Sequence, residues 1–125
     1  GIFFRTISEN EYQFKATINK NHLNDAGITH GGFIAALVNS GAGTAAHRAA
    51  DGSPCVTISL ELKFISTVKL GQKLIGNTKI QKKTKSMVFL TCELVAEEKI
   101  VVTASGVWKI LKIKPSNLEK TSLLI

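Results

Sequence analysis

The spacing of apolar and polar positions changes along the chain and divides it into segments of different predicted structure. The opening stretches "IFFRTI" and "EYQFKATI" alternate weakly, which predicts one or two strands that meet at Ser8–Asn10. After the polar loop "NKNHLNDAGITH", the segment from Gly31 to about Ala50 is typical of a helix that begins on "THGG" and ends before "DGSP". Thr29 or His30 would cap this helix, and neither is a strong N-cap residue.

The predicted helix is apolar in every direction around its axis, although one amide, Asn39, stands in its middle. Because a helix without a polar face gains from leaving water on all sides, we expect it to be buried. Its alanines and glycines would also allow the backbone of a sheet to approach closely. The apolar positions are Phe33, Ile34, Ala35, Ala36, Leu37, Val38, Ala42, Ala45 and Ala46.

After Pro54 the apolar positions repeat every second residue, which is typical of strands. In "CVTISLELKFIS" one predicted face carries Val56, Ile58, Leu60, Leu62 and Phe64. Three more long strands are predicted in "KLGQKLIGNTKIQKK", "SMVFLTCELVAEE" and "KIVVTASGVWKILKIK". The links "STVKLG", "KTKS" and "EEK" are short enough to join antiparallel neighbours.

A strand, a buried helix and four long strands predict an α+β domain, in which a twisted antiparallel sheet wraps around the helix. With 125 residues the chain is most simply one domain, expected over residues 1–113. Residues 114–125 are expected to form a loosely held C-terminal tail, since the sequence after Pro115 is polar and then ends on "SLLI".

The segments "HGGFIAALVNSGAG" and "DGSPCVTISLELKFISTVKLGQKL" resemble the hotdog-fold acyl-CoA thioesterases, specifically the phenylacetate-degradation (PaaI-like) branch. The similarity extends from about Asn24 to Trp108. It implies a hotdog fold and hydrolysis of an acyl-CoA thioester to a free acid and CoA. It also implies that no metal, no separate cofactor and no nucleophilic serine is used, because coenzyme A enters as part of the substrate.

The resemblance also implies roles for individual residues. The backbone N–H of Gly31 would polarise the thioester carbonyl, which agrees with the unpaired N–H groups and positive dipole at a helix N-terminus. Asn24 would hold the carbonyl or the attacking water, and Thr57 would orient the reacting groups. Contacts with the substrate and coenzyme A are expected at His30, Gly32, Phe64, Lys82, Lys83, Thr84, Lys85, Ser86 and Met87.

Several of these positions also have a simpler interpretation. His30 could act as a base, but it more commonly would anchor the turn through its ring nitrogens. The three lysines of "KKTKSM" could form a solvated hairpin instead of a phosphate-binding one. Ser40 is a poor nucleophile candidate because no GxSxG elbow surrounds it. No role is assigned to His22 or His47.

The decisive departure from the family is Asn39, nine residues after the histidine of "HGG". The family places an aspartate or glutamate there, as general base or nucleophile, and an amide cannot act as a base. The chain could bind acyl-CoA without turnover, act slowly on water positioned by Asn39 and Thr57, or be an engineered acid-to-amide variant. Asp25 could replace the missing base, and Asn39 could instead be a buried amide bonded to backbone.

Helix geometry predicts that the site requires two chains. Gly31 and Asn39 are eight residues apart, which is about 12 Å along a helix that rises about 1.5 Å per residue. Reacting atoms must lie within roughly 3–3.5 Å of their partners. If both residues act on one thioester, they come from two subunits, so we expect a homodimer, or a dimer of dimers.

The net charge of +7 favours an anionic partner such as a phosphate-bearing small molecule. We expect no nucleic-acid partner, because arginines and aromatic residues are sparse and no binding motif is present. No His, Cys, Asp and Glu spacing indicates a metal site. Cys55 and Cys92 are expected to be free buried thiols in a reducing cytoplasm, and no apolar run is long enough to cross a membrane.

Overall fold

One antiparallel sheet wraps around one long helix in the computed structural model, which describes residues 2–23 and 29–112. The predicted tail at 114–125 and the loop residue Asn24 lie outside these ranges. The elements are β1 (Phe3–Thr6), β2 (Glu11–Thr17), a short 3-10 helix (Lys20–His22), α1 (Gly31–Ala49), β3 (Cys55–Phe64), β4 (Lys73–Lys83), β5 (Met87–Ala96) and β6 (Lys99–Ile110). The predicted α+β architecture is confirmed, and so are the helix and the four long strands that follow it.

The strand order is β1-β2-β4-β5-β6-β3, and every neighbouring pair is antiparallel. The expectation that "STVKLG" joins neighbouring strands is wrong, because β3 pairs with β6 at one edge and β4 pairs with β2. The link crosses the molecule instead: the N–H of Ile65 donates to Val101 at its start, and Ile18 donates to Gln72 at its end. β3 is therefore an edge strand.

The helix is buried on one side only, which corrects the expectation of burial all round. The residues toward the sheet, such as Leu37, Val38 and Ala45, are almost completely inaccessible to solvent. The opposite side is exposed and is formed by Gly32, Ala36, Asn39, Ser40 and His47. Small side chains make this stripe look apolar in the sequence, although it is exposed in the structure and contacts the sheet through Asn39, which accepts a hydrogen bond from Thr57.

A β-bulge in β3 changes which residues face the helix. Thr57 lies opposite Trp108 and Ser59 opposite Val107, so Ile58 is left without a partner on β6. The predicted alternation is wrong on the N-terminal side of this bulge, and Ile58 is 54% exposed instead of sharing a face with Leu60. The bulge instead turns Thr57 toward the helix.

Glycines let α1 and β4 approach the aromatic ring of Phe14 in β2. A Cβ atom at Gly41 in the helix, or at Gly76 in β4, would lie directly on that ring. The ring thus fills the space of two missing side chains, and the helix lies close against this part of the sheet. Further along the helix, Trp108 packs with Ala42, Ala45 and Ala46 in a second cluster.

The predicted free thiols are confirmed, since Cys55 and Cys92 are both buried and unpaired. Burial raises the pKa of Cys92 to about 11, and burial likewise raises the pKa of Cys55. In the part of the chain that the structure describes, no three His, Cys, Asp or Glu side chains group as a metal site would require. Nor does a helix within 2–23 and 29–112 combine the length and apolarity needed to cross a membrane.

Candidate active site

The start of α1 carries exposed backbone N–H groups. His30 is the N-cap residue, with φ −57° and ψ 130°, and its side chain makes no capping bond. Gly31 and Gly32 are both exposed, and no acceptor among residues 2–23 and 29–112 bonds their N–H groups. Because a helix N-terminus carries a partial positive charge, this turn can stabilise an anionic oxygen.

An apolar cleft of about 290 Å³ lies beside Gly31. The ring of Phe64 forms one wall, 3.9 Å from the position that a Cβ of Gly31 would occupy, and is 56% exposed. Most other walls are aliphatic, from Ile34, Ile65, Val68 and Val102. Thr29, predicted as a possible cap, instead donates its hydroxyl to the carbonyl of Val68 at 2.6 Å, which ties the helix start to the crossing link.

His22, to which the sequence assigned no role, fixes the loop in front of α1. Its ring stacks on Phe33 of the helix, with 3.7 Å between ring centroids, and its Nδ1 accepts the N–H of Asn19 at 3.1 Å. The carbonyl of His22 also accepts the N–H of His30 at 2.8 Å. The ring nitrogens of His30, by contrast, make no hydrogen bond within the described ranges, so His22 anchors this turn.

Asn39 and Thr57 meet in the middle of the helix. The Thr57 hydroxyl donates to Oδ1 of Asn39 at 3.1 Å, and both residues are exposed. The alternative that Asn39 is a buried amide bonded to backbone is therefore wrong. The pair lines a second cleft of about 490 Å³, which is separate from the cleft at Gly31.

Two residues of this second cleft were missed by sequence reasoning. His47 and Trp108 both line it, together with Ser40. His47 lies eight residues after Asn39, close to the same side of the helix, and this spacing was a usable signal. Trp108 had no signal in the sequence, because it lies on β6, the strand next to Thr57.

The lysine-rich hairpin lies at the end of α1 that is remote from Gly31. Nζ of Lys83 contacts a carboxylate oxygen of Asp51, just after the helix, at 3.2 Å. The turn itself is held by the Thr84 hydroxyl, which accepts the N–H groups of Ser86 at 3.3 Å and Met87 at 3.0 Å. Lys82 and Lys85 are exposed.

The structure thus brings some predicted residues together and keeps others apart. Gly31, Gly32 and Phe64 share the helix start, whereas Asn39 and Thr57 share the second cleft. The lysine hairpin lies beyond that second cleft, next to the helix C-terminus. Asn24, together with the alternative base Asp25, is outside the described residues.

The sequence of this chain matches a family model described as the thioesterase superfamily over residues 26–103. A candidate esterase of Pseudomonas aeruginosa is 31% identical over 108 residues, which are 86% of this chain and 81% of that protein. Acyl-coenzyme A thioesterase 13 of mouse is 29% identical over 77 residues, covering 62% of this chain. The matched region is 55% of the mouse protein, so the chain spans about half the length of this relative.

The fold is similar to that of solved thioesterase-like proteins. A mutant of the phenylacetic acid degradation protein PaaI from Thermus thermophilus aligns with a TM-score of 0.77 and 21% identity, over 89% of this chain and 94% of that one. A Streptococcus mutans protein solved bound to acetyl CoA aligns with a TM-score of 0.83 and 16% identity, over 91% of each chain. The predicted hotdog fold and the resemblance to PaaI-like thioesterases are confirmed.

Proposed function

This chain belongs to the thioesterase superfamily, and on that premise we propose that it hydrolyses an acyl-CoA thioester to a free acid and CoA. The observation that carries the proposal is the open start of α1, where Gly31 is exposed and has no side-chain cap. Attack on a thioester carbonyl places negative charge on its oxygen. Backbone N–H donors at a helix N-terminus stabilise such an oxygen without reorganising.

The described side chains suggest how water is positioned. Thr57 donates its only hydroxyl proton to Asn39, so the lone pairs of its oxygen are free to accept a hydrogen from water. The water oxygen bonds to the carbonyl carbon, the carbon–sulfur bond breaks, and one proton of the water passes to the leaving CoA thiolate, which gives the free acid and CoA. In this proposal Asn24 holds the carbonyl or the water, as the resemblance implies.

The second candidate function is binding of acyl-CoA without turnover, and Asn39 favours it. Neither an amide nor a threonine hydroxyl takes up a proton near neutral pH, so the attacking water would not be deprotonated. Such a protein would act as a sensor or a scaffold. Both candidates use the same site and differ only in the rate of the chemical step.

We further propose that the site forms between two protomers. Gly31 and Asn39 line separate clefts of one chain and lie about 12 Å apart along α1, too far to act on one carbonyl. The edge strand β3 and its end expose Ile58, Phe64 and Ile65, which favours pairing of two sheets edge to edge. A dimer of dimers would be built from such pairs.

The lysine hairpin is the proposed site for the phosphates of coenzyme A. Lys82 and Lys85 are exposed, and among residues 2–23 and 29–112 the partner of Lys83 is the exposed carboxylate of Asp51, so all three lysines are available to an anion. The hairpin adjoins the end of the second cleft, beyond His47. A CoA ester with its carbonyl near Asn39 could therefore reach the hairpin of the same chain.

Replacing Asn39 by aspartate tests the proposed chemistry. An aspartate keeps an oxygen where Thr57 donates and adds a base, so we expect release of free CoA to rise by about 10²–10⁴. The gain should increase with pH as the new carboxyl group ionises. The matched control is Asn39→Ser, which keeps a polar side chain without a base and should give no gain.

The assay follows free CoA from short, medium and aromatic acyl-CoAs. A parent chain that binds these esters without releasing CoA, while Asn39→Asp releases it, identifies a disarmed thioesterase and supports the binding function. If Asn39→Asp binds CoA esters but hydrolyses none of them, the proposed placement of the carbonyl near residue 39 is wrong.

A further inference from the structure

His22 holds the start of α1 through its backbone and through its ring. The carbonyl of His22 accepts the N–H of His30 at 2.8 Å, directly before the helix. The His22 ring stacks on Phe33 in the first turn of α1, with 3.7 Å between the ring centroids and 16° between the ring planes. His22 therefore contacts the helix start at two points.

The ring of His22 is itself held in place by the short 3-10 helix that contains it. The N–H of Asn19 donates to Nδ1 of His22 at 3.1 Å, and the N–H of His22 donates to the carbonyl of Asn19, also at 3.1 Å. Because Nδ1 accepts, the neutral ring carries its proton on Nε2. This reciprocal pair fixes the ring relative to the His22 carbonyl, so a displacement of the ring also displaces the acceptor of His30.

The other side of the same turn is tied to the crossing link. The Val68 carbonyl accepts both the N–H of Thr29 at 3.1 Å and its hydroxyl at 2.6 Å. Thr29 and Val68 are both buried, whereas His30 is exposed. Buried contacts thus fix the chain at Thr29, and the next residue depends on His22.

These contacts determine the direction of the Gly31 N–H. The N–H of Gly31 belongs to the same planar peptide unit as the carbonyl of His30, and that carbonyl accepts the N–H of Ile34 at 3.2 Å. The two backbone dihedrals of His30 orient this unit, and the hydrogen bond from His30 to His22 restricts them. Loss of the contacts at His22 would therefore tilt the Gly31 N–H.

We propose that His22 is a positioning residue for the oxyanion donor at Gly31. In this role its ring and its carbonyl act through the helix start and not on the substrate. The assignment rests on the proposed hydrolysis, which uses the Gly31 N–H. Because a displacement of about 1 Å in a catalytic site can lower a rate about 10²-fold, loss of this positioning is measurable in kcat.

The stack on Phe33 is the contact that we expect to matter more than the hydrogen bond at Nδ1. Asn19 is exposed, so water can replace Nδ1 as the acceptor of its N–H. Phe33 is half-buried and packs against the core of the domain, so it offers the His22 ring a fixed surface. Stacked aromatic rings attract each other beyond the area that they bury.

Three substitutions separate these contacts. His22→Phe keeps an aromatic ring on Phe33 and removes Nδ1. His22→Asn keeps an acceptor close to the position of Nδ1 and removes the ring. Phe33→Leu removes the stack from the helix side, so it tests the same contact if His22→Asn disturbs the short helix. The control is Lys20→Gln, at an exposed position of that 3-10 helix.

The kinetic test uses chains with Asn39→Asp, either with Gly31 or with Gly31→Pro. With Gly31 present, we expect His22→Asn and Phe33→Leu to lower kcat about 10- to 10²-fold with little change in KM. His22→Phe and Lys20→Gln should keep most of kcat. In the Gly31→Pro chain the N–H is already absent, so His22→Asn should have almost no further effect.

Two kinetic outcomes would overturn the inference. One is a loss of kcat by the same factor in the Gly31 and Gly31→Pro chains, because His22 would then act on stability and not through the donor. The other is an unchanged kcat in both His22→Asn and Phe33→Leu. In either case the proposed hydrolysis would still stand, since the thioester is cleaved.

A second measurement does not depend on hydrolysis. NMR follows the hydrogen exchange of the His30 amide and the resonance of the Gly31 amide in chains that carry no change at residue 39. We expect His22→Asn and Phe33→Leu to speed the exchange about 5-fold or more and to shift the Gly31 resonance.

The NMR result separates this inference from the proposed function. If neither the exchange at His30 nor the resonance of Gly31 responds to the loss of the stack, the inference is wrong. If both respond, while Asn39→Asp hydrolyses no thioester, the positioning of Gly31 by His22 stands and only the proposed hydrolysis fails.

Discussion

The backbone N–H of Gly31 can be removed without disturbing the helix that carries it. Gly31 is the first residue of α1, a position that proline favours because its N–H is not used within the helix. The preceding His30, at φ −57° and ψ 130°, already has the conformation that a residue before proline adopts. Substitution at this position therefore separates chemistry from folding.

We expect Gly31→Pro to lower kcat by about 10²–10³ with little change in thermal stability, because one oxyanion donor is lost. Gly31→Ala is the matched control, since it keeps the N–H and its Cβ meets the Phe64 ring at an ordinary 3.9 Å. The kinetics are best measured in an Asn39→Asp background. Equal activity of the proline and alanine variants would exclude the Gly31 N–H as the oxyanion donor.

The place of a single residue in the structure could be predicted where its neighbours in the sequence determine its surroundings. Gly31 follows a polar loop and precedes an apolar run, so its place at a helix start could be predicted. Thr57 reaches Asn39 only because β3 bulges at Ile58, and strict alternation of the strand did not predict that bulge. Trp108 joins the cleft through pairing between distant strands, which no local pattern encodes.

At the scale of elements, the contact of α1 with β2 and β4 depends on the ring of Phe14. In β4, Gly76 lies directly opposite Phe14, and in the helix Gly41 faces the same ring. We expect Gly76→Ala to lower the free energy of unfolding by about 1–3 kcal/mol, because the added methyl group overpacks a filled core. Urea denaturation measures this change.

The second variant, Phe14→Leu, shows whether the ring is the cause. If it is, Gly76→Ala lowers the free energy of unfolding by less in a chain that also carries Phe14→Leu than in the unaltered chain. The coupling energy between the two substitutions should be about 0.5–3 kcal/mol in the favourable direction. Gly43→Ala is the control within α1, and it should raise stability by up to about 1 kcal/mol through helix propensity. Additive effects of the two core substitutions would contradict this account of the packing.

The elements themselves were largely predictable, because their apolar periods are long and uninterrupted. The helix was expected from Gly31 to about Ala50 and ends at Ala49. Its burial was overestimated, because alanine, glycine and serine give no sign of which side faces the sheet. The pairing of β3 with β6 was missed, since the length of a link does not show whether it crosses the molecule.

At the scale of the whole molecule, the proposed dimer takes two half-sites from each chain. The open helix start adjoins an apolar cleft, and the Asn39–Thr57 pair adjoins a polar one. A two-fold axis beside an edge strand would place the helix start of one protomer next to Asn39 and Thr57 of its partner. Because of the symmetry, each dimer would contain two such sites. The activity of mixed dimers can test this arrangement without a structure of the complex.

The test combines two chains that are each defective in a different half-site. The first chain carries Gly31→Pro and Asn39→Asp, and the second is the unaltered chain with Gly31 and Asn39. If each site takes residue 31 from one protomer and residue 39 from the other, only the mixed dimer contains a site with both the N–H donor and the carboxylate. Random pairing of equal amounts should then give about a quarter of the activity of Asn39→Asp dimers.

The same mixture gives a different result if each site belongs to one chain, because neither chain carries both groups. Activity would then stay at the sum of the two separate preparations after unfolding and refolding together. A lower baseline is provided by Gly31→Pro alone mixed with the unaltered chain, which contains no carboxylate at residue 39. Sedimentation of the mixture checks that dimers form. If the sample is dimeric and its rate equals the sum of the two separate preparations, Gly31 and residue 39 do not meet across the interface.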